Sequence, residues 1–413
     1  MKNTLILVNF AFDKQEAVGG RRWRKFLPKI QAGFDEVIVL SEKSKASHSL
    51  PNEHFKSIHF KNSIQQLKQV PGKIFRSICY RLAMVLSQLL IDGNYYDNSI
   101  LVGKKMSKWI SRYADRNQQN EITIILSLGP FNYALPIVAL KKRYPKIKII
   151  LDYRDPWSNN QLAFGFKHLN AKRQAIERKK EKFVIDQVDA VIGVHADVWP
   201  MDLAAGHKPT MEIKNGIEWV CDSNPIRTLP IQVLFLGTMY EDLDDLTVPF
   251  IQQLKDVKQQ NPTLYDQFKW IFAGNIQSSF MEDVKKSELH NFEFIGKLDE
   301  ASTQNILCNV HIGLNIIHRN FTYSMNTKFI EILGAKKKML YIGWPGKTAD
   351  FVNENHIGFV WNPTVNIATI LQSIHDQFQQ NQLHISINPS IDNLTLEAQS
   401  QKLMQFIYAI RHH

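Results

Sequence analysis

LSLGPFNYALPIVALKKRYPKIKIILDYRDPW, residues 126–157, decides the fold. It opens on the end of an apolar run rich in β-branched residues, Thr123–Ser127. It then passes through an amphipathic segment, Leu135–Lys142, and returns to a second apolar run, Lys148–Asp152. Runs of strand length around a helical pattern predict strand, helix, strand, and that alternation builds a parallel sheet covered by helices. Outward from this unit the pattern continues. Leu5–Val8, Glu36–Leu40 and Ala190–Val194 read as strands, and Arg22–Ile30 and Lys172–Ile185 as helices.

The second half repeats the scheme. Strands are expected at Gln232–Leu236, Lys269–Ala273, Phe292–Ile295, His311–Leu314, Lys338–Ile342 and Gly358–Val360. Helices are expected at Thr247–Gln259, Ser279–Lys286, Glu300–Cys308, Thr327–Ala335 and Ile367–Phe378. With 413 residues, two domains fit better than one. The boundary is expected in DSNPIRTLP, Asp222–Pro230, which carries two prolines and no periodicity. The expected division is therefore residues 1–222, residues 230–393 and a final helix within 394–413.

Several classes of protein are disfavoured. No apolar run reaches the roughly 18 residues needed to span a bilayer. The early run Leu5–Val8 is too short for a signal peptide and reads as a buried strand. Cys79, Cys221 and Cys308 have no metal-ligand spacing and predict no disulfide framework, which fits a reducing compartment. Charge is uneven: of a net +11, residues 1–206 carry +15 and the remainder −4. A basic half joined to a mildly acidic one suggests a polyanion or an anionic membrane face as partner. The basic residues are spread over many helices and no nucleic-acid-binding module is recognisable, so nucleic acid is the less favoured partner.

Short motifs carry a resemblance. GGRRWRKFLPKI (residues 19–30) follows the first strand, and RDPW ends at Trp157. NGIEW (215–219) precedes the expected linker. LFLGTM, FAGN and FIGKL each place glycine after a strand, and TKFIEILGAKKKMLYIG (327–343) joins a helix to a strand. In this order the segments resemble GT-B glycosyltransferases, especially family 4 enzymes of bacterial polysaccharide biosynthesis. The resemblance implies two Rossmann-like domains facing across a cleft, residues 1–222 binding the acceptor and 230–393 the nucleotide sugar, with the helix of 394–413 packing back on the first. It also implies a metal-independent hexosyltransferase using a UDP- or GDP-sugar as co-substrate, with no other cofactor. The expected acceptor is a polysaccharide or lipid-linked chain, and the expected location is cytoplasmic and peripheral to the membrane. Glycine after a parallel strand lets backbone approach a ligand, and a following helix N-terminus offers free N–H groups to phosphate.

The resemblance also assigns residues. Gly19, Gly20, Gly237, Gly274, Arg319, Lys328 and Glu331 fall to the donor, with Lys328 on the diphosphate and Glu331 on the ribose hydroxyls; the alternatives are a surface ion pair for Lys328 and Glu331 and a solvated loop residue for Arg319. Arg21, Arg22 and Arg24 fall to the acceptor. Asp152, Arg154 and Asp155 are candidates for acid–base chemistry at a strand end, against the alternative of a structural turn or ion pair. Tyr323 stands where many relatives carry a glutamate, and Gly129–Tyr133 lacks the histidine common there. Those departures keep open a catalytically silent partner subunit; a nucleotide-sugar epimerase is a further alternative. EDLDDLT, residues 241–247, reads as helix-start chemistry rather than a metal site. Finally, Lys56–Ile91 is basic and then apolar. Lys73, Arg76 and Arg81 interleave with an apolar face at helical spacing, read either as core packing or as a membrane-surface helix.

Overall fold

The computed structural model describes residues 2–13, 18–43, 55–62, 73–158, 160, 165–200, 208–221, 226–386 and 388–412. Residues 63–72 of the basic–apolar stretch and 222–225 of the expected linker lie outside these. The chain divides into two compact units. One is Met1–Lys214 with Gln399–His413, and the other is Asn215–Ala398. The division thus falls about eight residues before the proline-marked segment, because NGIEW belongs to the second unit: Ile217 N–H donates to Leu394 O at 2.8 Å.

The first unit is a seven-stranded parallel sheet. Its strands are β1 Asn3–Val8, β2 Glu36–Glu42, β3 Phe55–Phe60, β4 Glu121–Ser127, β5 Lys148–Tyr153, β6 Ala190–Gly193 and β7 Thr210–Glu212. Their order is β3-β2-β1-β4-β5-β6-β7. β1, β2, β4 and β5 have almost fully buried central residues, which is why they read as continuous apolar runs rather than alternating ones. Edge strand β3, FKSIHF, has no buried residue, with Lys56 exposed and the others half-buried, and no such signature. The helix Ile100–Arg116 also lies outside the segments expected from the sequence. The terminal helix Leu396–His412 contributes most of its length to this unit, and Arg411 pairs with Glu121 at 3.0 Å.

The helix Lys73–Leu90 packs in an unusual sense. Among its described side chains, from Arg76 on, the buried positions are Cys79, Ala83 and Ser87, small residues at intervals of four. Its outward positions include Ile78, Leu82, Val85 and Leu89, spaced four, three and four, with Leu89 77% exposed. This helix turns small residues inward and large apolar ones outward, the reverse of an ordinary surface helix.

The second unit is a six-stranded parallel sheet of β8 Ile231–Thr238, β9 Phe268–Asn275, β10 Phe292–Gly296, β11 Ile312–Ile317, β12 Lys338–Gly343 and β13 Gly358–Trp361. The order β10-β9-β8-β11-β12-β13 is that of a dinucleotide-binding sheet, 3-2-1-4-5-6. Phe235, Trp270, Phe272 and Trp361 are buried beneath its helices. Cys221 and Cys308 form a disulfide here, with Cα atoms 5.8 Å apart. This corrects the expectation drawn from their spacing. Eighty-seven residues separate the two cysteines, and folding brings them together by setting the end of the helix Glu300–Cys308 beside the segment after NGIEW.

Candidate functional site

In open parallel sheets ligands gather at the carboxyl ends of the strands. In the second unit β8 and β9 carry Gly237 and Gly274 one residue before their ends, both in the left-handed φ range at 106° and 123°. The two glycines touch: a Cβ on Gly274 would lie 2.0 Å from the Gly237 carbonyl oxygen. A Cβ on Gly237 would lie 2.5 Å from Cε of Lys328. Conformation requires glycine at both places, backbone crowding requires it again at Gly274, and a side chain at 237 would displace Lys328.

Lys328 reaches this edge from the second position of the helix Thr327–Gly334. Its Nζ donates to Thr238 O at 3.1 Å and lies 4.8 Å from the centre of the Phe235 ring. Burial pushes the ammonium down to about 8, against Glu331, whose charge favours the protonated form. Asn326 caps the helix, its Oδ1 accepting from Phe329 N at 2.8 Å. Glu331 is half-buried one turn further on. Sequence reasoning therefore named a set that the fold brings together: Gly237, Gly274, Lys328 and Glu331.

Arg319 is differently engaged. It forms a salt bridge with Asp245, whose Oδ2 also accepts from Trp344 Nε1 at 2.7 Å. Burial pushes the Asp245 carboxyl up, but the bonds from Trp344 and Arg319 more than offset this and hold it low. Asp244 and Asp245 do begin the helix Asp244–Gln260, so the acidic cluster serves a helix start and a clamp on Arg319.

In the first unit, Gly19 and Gly20 lie inside the first turn of the helix Val18–Ile30, not in a loop before it. They are small because neighbours press on them. A Cβ on Gly19 would meet Arg154 Nη1 at 2.0 Å, and one on Gly20 would meet Ala11 O at 2.0 Å. The Asn9 amide steadies the turn, donating to Gly19 O at 3.0 Å and Ser127 Oγ at 3.2 Å.

Asp152 is fully buried. It accepts from Trp23 Nε1 at 2.7 Å and faces Arg22 at 3.5 Å. Arg22 is itself buried and donates to Ile213 O at 2.8 Å and Lys214 O at 3.2 Å. Burial lowers the Arg22 guanidinium, while Asp152 opposes that shift. These two residues join the helix to β5 and the chain after β7, and neither reaches solvent. Arg24 donates to Phe12 O at 2.6 Å. Arg154 donates to Leu128 O at 2.9 Å and Gly129 O at 2.8 Å, so it braces the loop after β4. Arg21, Arg154 and Asp155 retain partial exposure.

One cluster escaped sequence reasoning. Asp13, Ser41 and His59 meet beyond or near the carboxyl ends of β1, β2 and β3. The Ser41 hydroxyl donates to Asp13 Oδ2. His59 Nδ1 lies 2.9 Å from Ser41 Oγ and 3.0 Å from Asp13 Oδ2. The carboxylate and the hydroxyl both face Nδ1, so Nε2 is the ring nitrogen these contacts leave unused, and the ring is held in one orientation. The three residues are 18 to 46 positions apart in sequence, and only the strand order β3-β2-β1 aligns them.

No family model and no curated protein matches this sequence. Solved structures do match its fold. Alpha,alpha-trehalose-phosphate synthase (UDP-forming) from Burkholderia xenovorans, in complex with glucose-6-phosphate, aligns at TM-score 0.57 and 9% identity over 98% of this chain and 100% of its own. The lipopolysaccharide outer core galactosyltransferase WaaB aligns at 0.59 and 11%, over 98% of this chain and 99% of its own. The trehalose-6-phosphate structure from E. coli bound with UDP-2-fluoro glucose aligns at 0.55 and 10%, over 100% and 99%. Likeness at such identities establishes the fold: this chain has the two-sheet GT-B architecture of glycosyltransferases.

Proposed function

We propose that this chain is a glycosyltransferase akin to the family 4 enzymes. It moves a hexose from a UDP- or GDP-sugar to a polysaccharide or lipid-linked acceptor. The observation that carries the reading is the carboxyl edge of the second sheet, where Lys328 lies over Gly237 at the start of a capped helix. A diphosphate placed there meets an ammonium, the N–H groups of the helix start and a glycine backbone that carries no side chain. In the reaction the bond from the anomeric carbon to the diphosphate oxygen breaks as the acceptor oxygen bonds that carbon. Charge then grows on the leaving diphosphate, and Lys328 stabilises it. Glu331 takes the ribose hydroxyls, and Arg319 joins the phosphates on leaving Asp245. In this reading the first unit takes the acceptor, with His59 as the base, oriented by Asp13, and Arg21, Arg24, Arg154 and Asp155 as acceptor residues. Fixed cationic charge replaces a metal ion in this scheme, so turnover persists in chelator.

The same reading places the protein at the cytoplasmic face of a membrane. No helix among the described residues is long and apolar enough to cross a bilayer. The outward stripe Ile78, Leu82, Val85 and Leu89, with Arg76 and Arg81 exposed beside it, suits a helix lying in the headgroup region. There it meets a lipid-linked acceptor, and the +15 of residues 1–206 adds attraction to anionic lipid.

The test is release of free nucleotide from a panel of UDP-, GDP- and dTDP-sugars, with and without lipid-linked acceptors and with EDTA present. Release from one donor supports the reading. Tight binding of a nucleotide without release from any donor reassigns the chain to a binding subunit, and no binding at all overturns the donor site.

A further inference from the structure

The second unit holds a pocket at the opposite edge of its sheet from Gly237 and Gly274. Its floor is made by His311, immediately before β11, and Lys337, immediately before β12. The pocket is small: its enclosed space is about 10 Å³, room for one water-sized particle, and reaches about 250 Å³ only with the open space at its mouth. Val310, Phe378 and Leu383 supply apolar walls, and His384 and Asn381 supply polar ones.

Two donors there lack acceptors. Lys337 is 1% exposed, and its Nζ has no hydrogen-bond partner among the described residues. Nε2 of His311 is buried and makes no regular hydrogen bond, although the Thr228 carbonyl lies near the ring. The His311 tautomer follows from its other nitrogen. Gln232 N–H donates to Nδ1 at 3.0 Å, so in the neutral ring Nε2 carries the proton. Burial, then the charge of Lys337, pushes this ring down to about 4, outweighing the Thr228 carbonyl that favours the charged form. Burial alone pushes Lys337 down to about 8, so it is still mainly an ammonium at neutral pH. His384 is lowered by burial and by the charges of Lys337 and Lys336, which marks the mouth as positive.

An ammonium buried without a counter-charge is costly, and so is an N–H without an acceptor. No carboxylate lines the pocket among the described residues. Both deficits are met by one species, a compact anion that accepts from both nitrogens. The frame is rigid. Lys338 N–H donates to Leu383 O at 3.2 Å and Ile385 N–H to Lys336 O at 3.1 Å, and the His311 ring packs edge-on against Phe378. We propose that this pocket is a small-anion site, with Lys337 Nζ and His311 Nε2–H as its donors and His384 at its mouth. Chloride and inorganic phosphate share the required chemistry. The site is separate from the donor site and ties the turn after the helix Thr327–Gly334 to the segment Leu383–Ile385.

The test uses the full chain in a buffer of large organic anions. Sodium chloride and sodium phosphate are titrated separately at constant ionic strength. The readouts are the His311 imidazole nitrogen shifts and Tm. At least one anion should move the His311 signal saturably and raise Tm with the same midpoint. Saturation by chloride alone defines a halide site, and by phosphate alone a phosphate site. Lys337→Met should weaken binding by about tenfold or more, the loss of one charge-assisted hydrogen bond. His384→Gln should weaken it less and gives a second reading should Lys337→Met fold poorly. The proposal is overturned if neither anion produces a saturable His311 shift in the wild type, or if the shift persists unweakened in Lys337→Met.

Discussion

Lys328 reaches the carbonyl of Thr238 at 3.1 Å by passing over Gly237, whose missing side chain leaves room for the lysine stem. The relationship makes the glycine and the lysine one functional unit, because a methyl group at residue 237 would stand 2.5 Å from Cε of Lys328.

Lys328→Ala should therefore weaken UDP or GDP binding by roughly 1.5–3 kcal/mol, the range of a charge-assisted contact. Gly237→Ala should lose comparable affinity although it removes no charge. Calorimetry on both folded variants checks this, and unchanged affinity in both discards the donor assignment. The wild type should also take up protons on binding nucleotide near pH 8. Burial has pushed Lys328 down to about 8, and a bound diphosphate pulls it back up. The binding enthalpy then depends on the ionisation heat of the buffer.

Asp152 and His59 should part company under mutation. Asp152→Ala leaves the buried Arg22 without its carboxylate and should destabilise the fold by about 3 kcal/mol, read by urea unfolding. His59→Gln sits on a half-buried edge strand and should change stability little. It should instead lower kcat by about a hundredfold or more, with donor affinity retained. Normal kcat in folded His59→Gln places the base elsewhere.

How much of this was legible in advance depended on reach. β4 and β5 announced themselves because burial on both faces demands unbroken apolar runs. β3 lay hidden in FKSIHF because an edge strand needs only partial burial. Gly237, Gly274 and Lys328 were legible because glycine after a strand and lysine at a helix start are local patterns. The burial of Asp152 was not, since its partners Arg22 and Trp23 lie 130 and 129 residues away. Neither was the tie between Cys221 and Cys308, nor the meeting of Asp13 with His59. Such features are properties of strand order, which no short window of sequence contains.

The outward stripe of the helix Lys73–Leu90 predicts membrane behaviour. Flotation with liposomes should rise with the anionic lipid fraction and fall with salt. It should drop when Lys73, Arg76 and Arg81 are changed to Glu, and again when Leu82, Val85 and Leu89 are changed to Ser. Because those three leucine and valine side chains are exposed, the serine variant should keep its Tm. Equal binding to neutral and anionic vesicles, or none to either, removes electrostatic docking.

Lys337 carries a pH signature of its own. Its folded value of about 8 lies below the ordinary 10.5, so between these values the unfolded chain holds more protons than the folded one. Stability from this group then rises with pH across that window. Lys337→Met should be more stable than the wild type at pH 7 in anion-poor buffer, and the gap should narrow as pH climbs from about 8 towards 10.5. Urea midpoints at a series of pH values check the sign, and a gap that widens with pH contradicts it.

The bond between Cys221 and Cys308 also divides the second sheet. β8, β9 and β10 lie between the two cysteines, while β11, β12 and β13 follow the second. Those two groups are the two contiguous halves of the sheet, β10-β9-β8 and β11-β12-β13. One half is therefore enclosed in a covalent ring and the other hangs from it as a tail. A protease that cuts once inside the ring opens it into two arms still joined through sulfur, whereas a cut in the tail frees a fragment at once. On a denaturing gel the first kind of nick stays invisible until thiol is added, so a pair of lanes reports which half of the sheet came undone.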